Sequence, residues 1–192
     1  MLKRLIIFLV VTGTSTSISA QWNLSMGAGA AIPVTGYGAV VKTGWLLGAE
    51  AAYKFRSSFT LGINAQFTRL QHDKNPADTF QQMRMTLAPV LFTSNYEGFS
   101  KGKLQPYVGL GLGIGFYAIQ YEVSPTSGKS VNNVSFTFMP RLGIHLATSG
   151  NWFPYLETGW VTLADGPPIG FPHSEKATGY VHISAGAQYR FR

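Results

Sequence analysis

The stretch "PYVGLGLGIGFY", residues 106–117, places glycine at 109, 111, 113 and 115, with Val108, Leu110, Leu112 and Ile114 between them. Its period is two, that of a strand whose successive side chains point to opposite faces. A helix would spread these residues over every face, and each glycine would cost it roughly 1 kcal/mol. As a strand, it has one face of branched aliphatics and one of bare backbone. Repeated glycine inside a strand marks close approach by another part of the structure. The bare face therefore looks into a crowded space, and the aliphatic face onto an apolar medium.

The same alternation recurs and predicts eight strands, over 22–32, 43–55, 58–70, 79–93, 105–121, 132–147, 153–163 and 178–191. In the first, Trp22, Leu24 and Met26 oppose Asn23, Ser25 and Gly27. In the fourth, Met83, Met85, Leu87, Pro89 and Leu91 oppose Gln82, Arg84, Thr86 and Ala88. In the sixth and seventh, Phe136, Phe138, Leu156 and Trp160 oppose Thr137, Arg141, Glu157 and Gly159. Most of these runs reach ten residues, whereas strands of soluble proteins run about 5–6 and tilted bilayer-crossing strands about 9–11. Connections after strands one, three, five and seven are long (33–42, 71–78, 122–131 and 164–177), and those at 56–58 and 148–151 are tight. The connection at 94–103 is longer than its neighbours on the tight side.

Residues 1–20 have the form of an export signal. Lys3 and Arg4 precede the short apolar run "LIIFLVV", and "TGTSTSISA" offers small residues before a cleavage point ahead of Gln21. The expected organisation is a signal peptide at 1–20 and one β-barrel domain at 21–192. No cysteine is present, which excludes disulfide scaffolds and thiolate metal sites. No run of 18 apolar residues exists to form a transmembrane helix. The net charge of +7 falls to +5 without Lys3 and Arg4, and the remaining basic residues are dispersed, so nucleic-acid binding is not expected.

The direction of the apolar face decides between a soluble barrel and a membrane barrel, which is apolar outside and polar within. The polar faces carry charge in mid-strand, at Glu50, Arg84, Arg141 and Glu157. Aromatics on the apolar faces gather near strand ends. Trp22, Tyr53, Phe55, Phe59, Tyr189 and Phe191 fall toward the tight turns, and Trp45, Phe67, Phe80, Phe136 and Trp160 toward the long connections. Two such girdles are what bilayer interfaces select. The sequence thus predicts an all-β, eight-stranded antiparallel up-and-down transmembrane barrel with its glycine face inward.

With its signal, its eight amphipathic strands, "PYVGLGLGIGFY", the strand openings Pro106-Tyr107 and Pro154-Tyr155, and the ending "GAQYRF", the chain resembles the small outer-membrane β-barrel family. That family includes OmpA-type transmembrane domains, OmpX and OmpW, and the resemblance is closest to barrels of Bacteroidetes-type bacteria. It implies residence in a Gram-negative outer membrane, contact with outer-membrane lipid and lipopolysaccharide, and insertion by the barrel-assembly machinery.

Glu50, Arg84, Arg141 and Glu157 are expected to form a lumenal ion network, since unpaired charge in a water-poor interior costs several kcal/mol. Lys42, Arg69, Lys74, Lys129 and Lys176, in or near the long connections, are candidate lipopolysaccharide contacts. His182 and Ser184, with Glu157 on the neighbouring strand, have the His-x-Ser spacing of a small barrel enzyme, the lipid A deacylase. His72, His145, His173 and His182 lack metal-ligand spacing, and no cofactor motif is present.

The expected role is structural or surface-interaction, non-enzymatic, with an unidentified loop-binding partner. The alternatives are a small pore or channel for apolar or small solutes, a soluble lipocalin-like ligand-binding barrel, and a lipid A deacylase-like enzyme.

Overall fold

The computed structural model describes residues 21–34, 42–55, 58–72, 82–97, 102–124, 127–164 and 178–191; the proposed signal lies outside them. The eight strands are β1 (Gln21–Pro33), β2 (Lys42–Phe55), β3 (Phe59–His72), β4 (Gln82–Tyr96), β5 (Leu104–Ser124), β6 (Ser127–Leu146), β7 (Trp152–Leu163) and β8 (Thr178–Arg190). Each pairs antiparallel with its sequence neighbours, and β8 returns to β1 to close the barrel. Closure leaves no edge strand to template association. Both described ends meet at the tight-turn side, where the Phe191 amide donates to the Trp22 carbonyl at 2.8 Å.

The apolar faces point outward. Trp22, Met26, Ile63, Phe92, Leu142 and Leu156 are each at least half exposed. Val108, Leu110, Leu112, Ile114 and Phe116 line the outer wall of β5, while Tyr107 and Tyr117 are buried inside. From Trp22 to Ile32, at about 3.3 Å per residue and a tilt near 40°, the apolar wall spans about 25 Å, the height of the lipid-facing band of outer-membrane barrels. Edge-to-face aromatic pairs rim its tight-turn side, Trp22 with Tyr53 at 5.3 Å and Trp152 with Tyr189 at 5.0 Å. Trp45 and Phe67, 5.6 Å apart, mark the other rim. Phe80 lies outside the described residues.

The glycine face of β5 makes room for β4 and β6. Gly109 pairs with Asn95 on one side and Arg141 on the other, and Gly111 with Thr93 and Met139. A methyl group on Gly109 would overlap the Asn95 carboxamide and press on the Arg141 side chain at 3.1 Å. One on Gly115 would meet the Thr137 hydroxyl at 2.5 Å and Leu163 at 2.8 Å. An eight-stranded barrel is just wide enough for side chains to fill, and the bare stripe gives that width to its neighbours.

Two expectations are corrected. First, the faces of β4 are inverted: Met85, Leu87 and Leu91 are buried in the lumen, and Arg84 is exposed on the outer wall. The segment from Leu87 to Phe92 is apolar at both parities, so local alternation does not choose. The choice falls to the polar residues that follow: Thr93 and Asn95 must face inward to reach Glu50, and the period of two carries Leu91, Leu87 and Met85 in with them. Second, the connection expected at 122–131 is mostly paired strand. β5 and β6 run on as a ladder of 21 and 20 residues as far as the pair Ser124 and Ser127. This hairpin exceeds by roughly ten residues what a bilayer crossing needs.

Gly109→Leu is expected to destabilise the barrel by about 1–3 kcal/mol through overpacking. Leu110→Val, one residue away on the outer wall, is expected to shift stability by less than about 0.5 kcal/mol. Urea unfolding in lipid vesicles, followed by the unboiled gel band, measures both.

Candidate functional site

The lumen is built in layers. At the tight-turn mouth, Glu97, just past the end of β4, pairs with Lys54 of β2 and with Arg190 of β8 at 3.5 Å, and lies 3.9 Å from the His145 ring of β6. The Arg190 guanidinium lies 3.7 Å over the Phe153 ring. Burial pushes the Glu97 carboxyl up, but the adjacent Lys54 ammonium and its hydrogen bond, with His145 and Arg190, outweigh it, and the group is held below the usual carboxylate range.

One layer deeper, Arg141 donates to both carboxylate oxygens of Glu50, at 2.5 and 2.8 Å. The same guanidinium lies 3.3 Å from Glu157. Asn64, Thr93 and Asn95 donate to Glu50 at 3.2, 3.1 and 3.3 Å. The Tyr107 hydroxyl donates to Glu157 at 2.7 Å, and His182 Nε2 lies 3.3 Å from it. Arg141 Nε donates to Asn95 Oδ1 at 3.0 Å, so the guanidinium passes over β5 at the bare Gly109. Each ion here is buried, and each has an opposite charge and further hydrogen bonds, the condition under which buried ions are tolerated.

Beside this network is a polar cavity with room for a few water molecules, lined by Asn23, Asn64, Glu50, Glu97, Gln188 and Ser184 among others. Above it, Tyr180 donates to Gln66 at 3.4 Å and hydrogen-bonds Thr68 at 3.0 Å. The half toward the long connections is filled by apolar side chains: Leu46, Leu70, Met85, Leu87, Leu91, Ile119, Met139, Val161 and Leu163. The lumen is therefore polar at one end and closed by an apolar plug at the other.

Of the four residues expected to share a lumenal network, the structure brings Glu50, Arg141 and Glu157 together and places Arg84 outside. The mouth cluster was missed because 94–103 reads as a loop; the alternation Thr93, Asn95, Glu97 is the signal that would have extended β4 to it. Of the candidate lipid contacts, Lys42 is exposed and Arg69 half-buried on the outer wall. Lys74 and Lys176 lie outside the described residues, and of Lys129 only its strand position is described. His182 meets Glu157 but is entirely buried, and its Nδ1 has no hydrogen-bond partner among the described residues. The Ser–His hydrogen bond of a nucleophilic triad is thus not formed, and Ser184 faces the lumen rather than lipid.

Arg141→Met is expected to cost about 3–5 kcal/mol, because it leaves Glu50 and Glu157 buried without their cation. Adding Glu50→Gln should recover part of that loss in a urea-unfolding comparison, since it removes one uncompensated buried charge and the amide oxygen can still accept from Thr93 and Asn95. The depressed Glu97 carboxyl contributes stability that is complete above the unfolded-state value near 4.5 and is lost as pH falls through its lower folded value. Unfolding midpoints measured from pH 7 to pH 3 should therefore fall more steeply for the wild type than for Glu97→Gln.

No protein-family model matches the chain, and no curated protein matches its sequence. Solved structures do match its fold. Neisserial surface protein A superposes with a TM-score of 0.60 at 14% identity, over 90% of this chain and 99% of that one. A major outer membrane protein from Thermus thermophilus gives 0.60 at 12% identity, over 90% and 100%. The attachment invasion locus protein Ail of Yersinia pestis gives 0.55 at 15% identity, over 90% and 99%. The chain has the fold of the small outer-membrane β-barrels.

Proposed function

We propose that the protein is an integral barrel of a Gram-negative outer membrane, exported by its N-terminal signal, with a sealed interior and a surface-interaction role. The observation that carries this reading is the pairing of an apolar outer wall with a polar, ion-paired lumen closed by a plug. In water, so large a contiguous apolar surface is an aggregation liability; in a bilayer it is the solvated face. A lipocalin-like soluble barrel needs the reverse arrangement, with its apolar side chains lining an internal cavity.

Closure of the lumen argues against conduction. A solute entering at the tight-turn mouth meets the Glu97 cluster, then the Arg141 network, then the plug of Met85, Leu87, Leu91 and Met139. With both described chain ends at the tight-turn side, that side faces the periplasm, and the β5–β6 hairpin projects to the exterior as a contact surface. Two proteins of this fold are named for the cell surface and for attachment, which accords with such a role.

The test is refolding of residues 21–192 with and without detergent, followed by planar-bilayer recording. The expected outcome is an unboiled band that migrates apart from the boiled one only when detergent is present, and no ion conductance. A monodisperse, detergent-free protein would overturn membrane residence, and steady conductance would replace the sealed barrel with a pore.

A further inference from the structure

We propose that Lys42, Arg69 and Arg84 form a site on the outer wall for the phosphate groups of an outer-leaflet lipid. The inference rests on the membrane reading above and adds the ligand and its residues.

Register brings the three together. Gln71 of β3 pairs with Lys42 of β2 on one side and Arg84 of β4 on the other; Arg69 is the next outward residue of β3. Adjacent strands lie about 4.8 Å apart, so Lys42 and Arg84 flank Arg69 across about 10 Å, a span that long basic side chains can close. A β-bulge between Lys42 and Trp45 shifts the register by one residue. Inward-facing Leu46, Gly48 and Glu50 have the parity of Lys42, and without the bulge Lys42 would point into the lumen with them. Lys42 and Arg84 are exposed, and the neighbouring Gln71 and Gln120 are exposed polar residues on the same face.

The level and the charge both fit a phosphate headgroup. Trp45, paired with Arg69, packs on Phe67 at the rim of the apolar wall, so the cations stand where hydrocarbon gives way to headgroups. Among the residues whose side chains are described, the carboxylates Glu50, Glu97 and Glu157 are all buried in the lumen. The outward faces of β1, β6, β7 and β8 carry no charge among the described residues. The positive sector of the described wall is thus confined to β2–β4. Arg69 Nε is buried with no hydrogen-bond partner among the described residues. Planar guanidinium groups match phosphate oxygens two at a time, and three cations suit a group of more than one negative charge.

The experiment is native mass spectrometry of the refolded mature chain titrated with bisphosphorylated lipid A, with dephosphorylated lipid A, and with inorganic phosphate. The wild type should prefer the bisphosphorylated lipid. Arg84→Gln should weaken that binding about fivefold, and Lys42→Gln, Arg69→Gln and Arg84→Gln together roughly a hundredfold. Binding of dephosphorylated lipid should not change, and Lys103→Gln, at the opposite end of the barrel, should have no effect. Unboiled gel migration confirms that each variant is folded, and the single Arg84→Gln variant serves if the triple one is not. Equal binding of the two lipids, or an equal loss with Lys103→Gln, would overturn the site. Full competition by inorganic phosphate would overturn the lipid as its source. A wild-type chain that fails to fold in detergent would instead overturn the membrane reading and the site with it.

Discussion

Arg141 crosses the lumen over a strand that has no side chain beneath it. Its guanidinium joins Glu50 of β2, Glu157 of β7 and Asn95 of β4, and the path to Asn95 runs across Gly109. Any side chain there would lift the arginine away from its acceptors. The buried cation and the bare strand are therefore one device. The arginine is tolerable only because three walls of the barrel supply its partners, and the partners are reachable only because the fourth wall is flat. This explains why position 109 is glycine, while Gly111 and Gly115 give the same room to Leu91, Met139, Thr137 and Leu163.

The same interior shows how a narrow barrel is filled with two kinds of chemistry. The end near the tight turns holds paired ions and amides, where low dielectric strengthens each contact and makes each loss expensive. The other end is packed like a soluble core, with Met85 and Leu87 in the cluster and Leu91 and Met139 meeting over Gly111. Such a plug resists hydration as a salt-bridge ladder alone would not, since charged side chains can exchange partners with water and ions. On the outer wall the distribution of charge is reversed. The carboxylates whose side chains are described, Glu50, Glu97 and Glu157, are all inside, and the exposed cations Lys42 and Arg84 stand at one rim. Charge is thus sorted between the lumen, the apolar outer wall and its rim.

Much was legible in the chain alone. Strict alternation over long runs determined the strands, their number, the barrel and the direction of the faces of every strand but β4, because a period of two has only one meaning for a half-buried strand. Glu50, Arg141 and Glu157 were readable as lumenal because each interrupts a polar face in mid-strand. What only the tertiary structure decided lies where alternation carries no contrast. From Leu87 to Phe92 both parities are apolar, so the faces of β4 depend on the hydrogen bonds of Thr93 and Asn95 to a glutamate more than forty positions away in the chain. That choice moved Arg84 from the lumen to the outer wall and Met85 from the outer wall to the plug. The bulge at Lys42 and the meeting of Glu97 with Lys54, His145 and Arg190 likewise depend on register between strands. Register is set by the closed ladder as a whole, and no local window of sequence contains it.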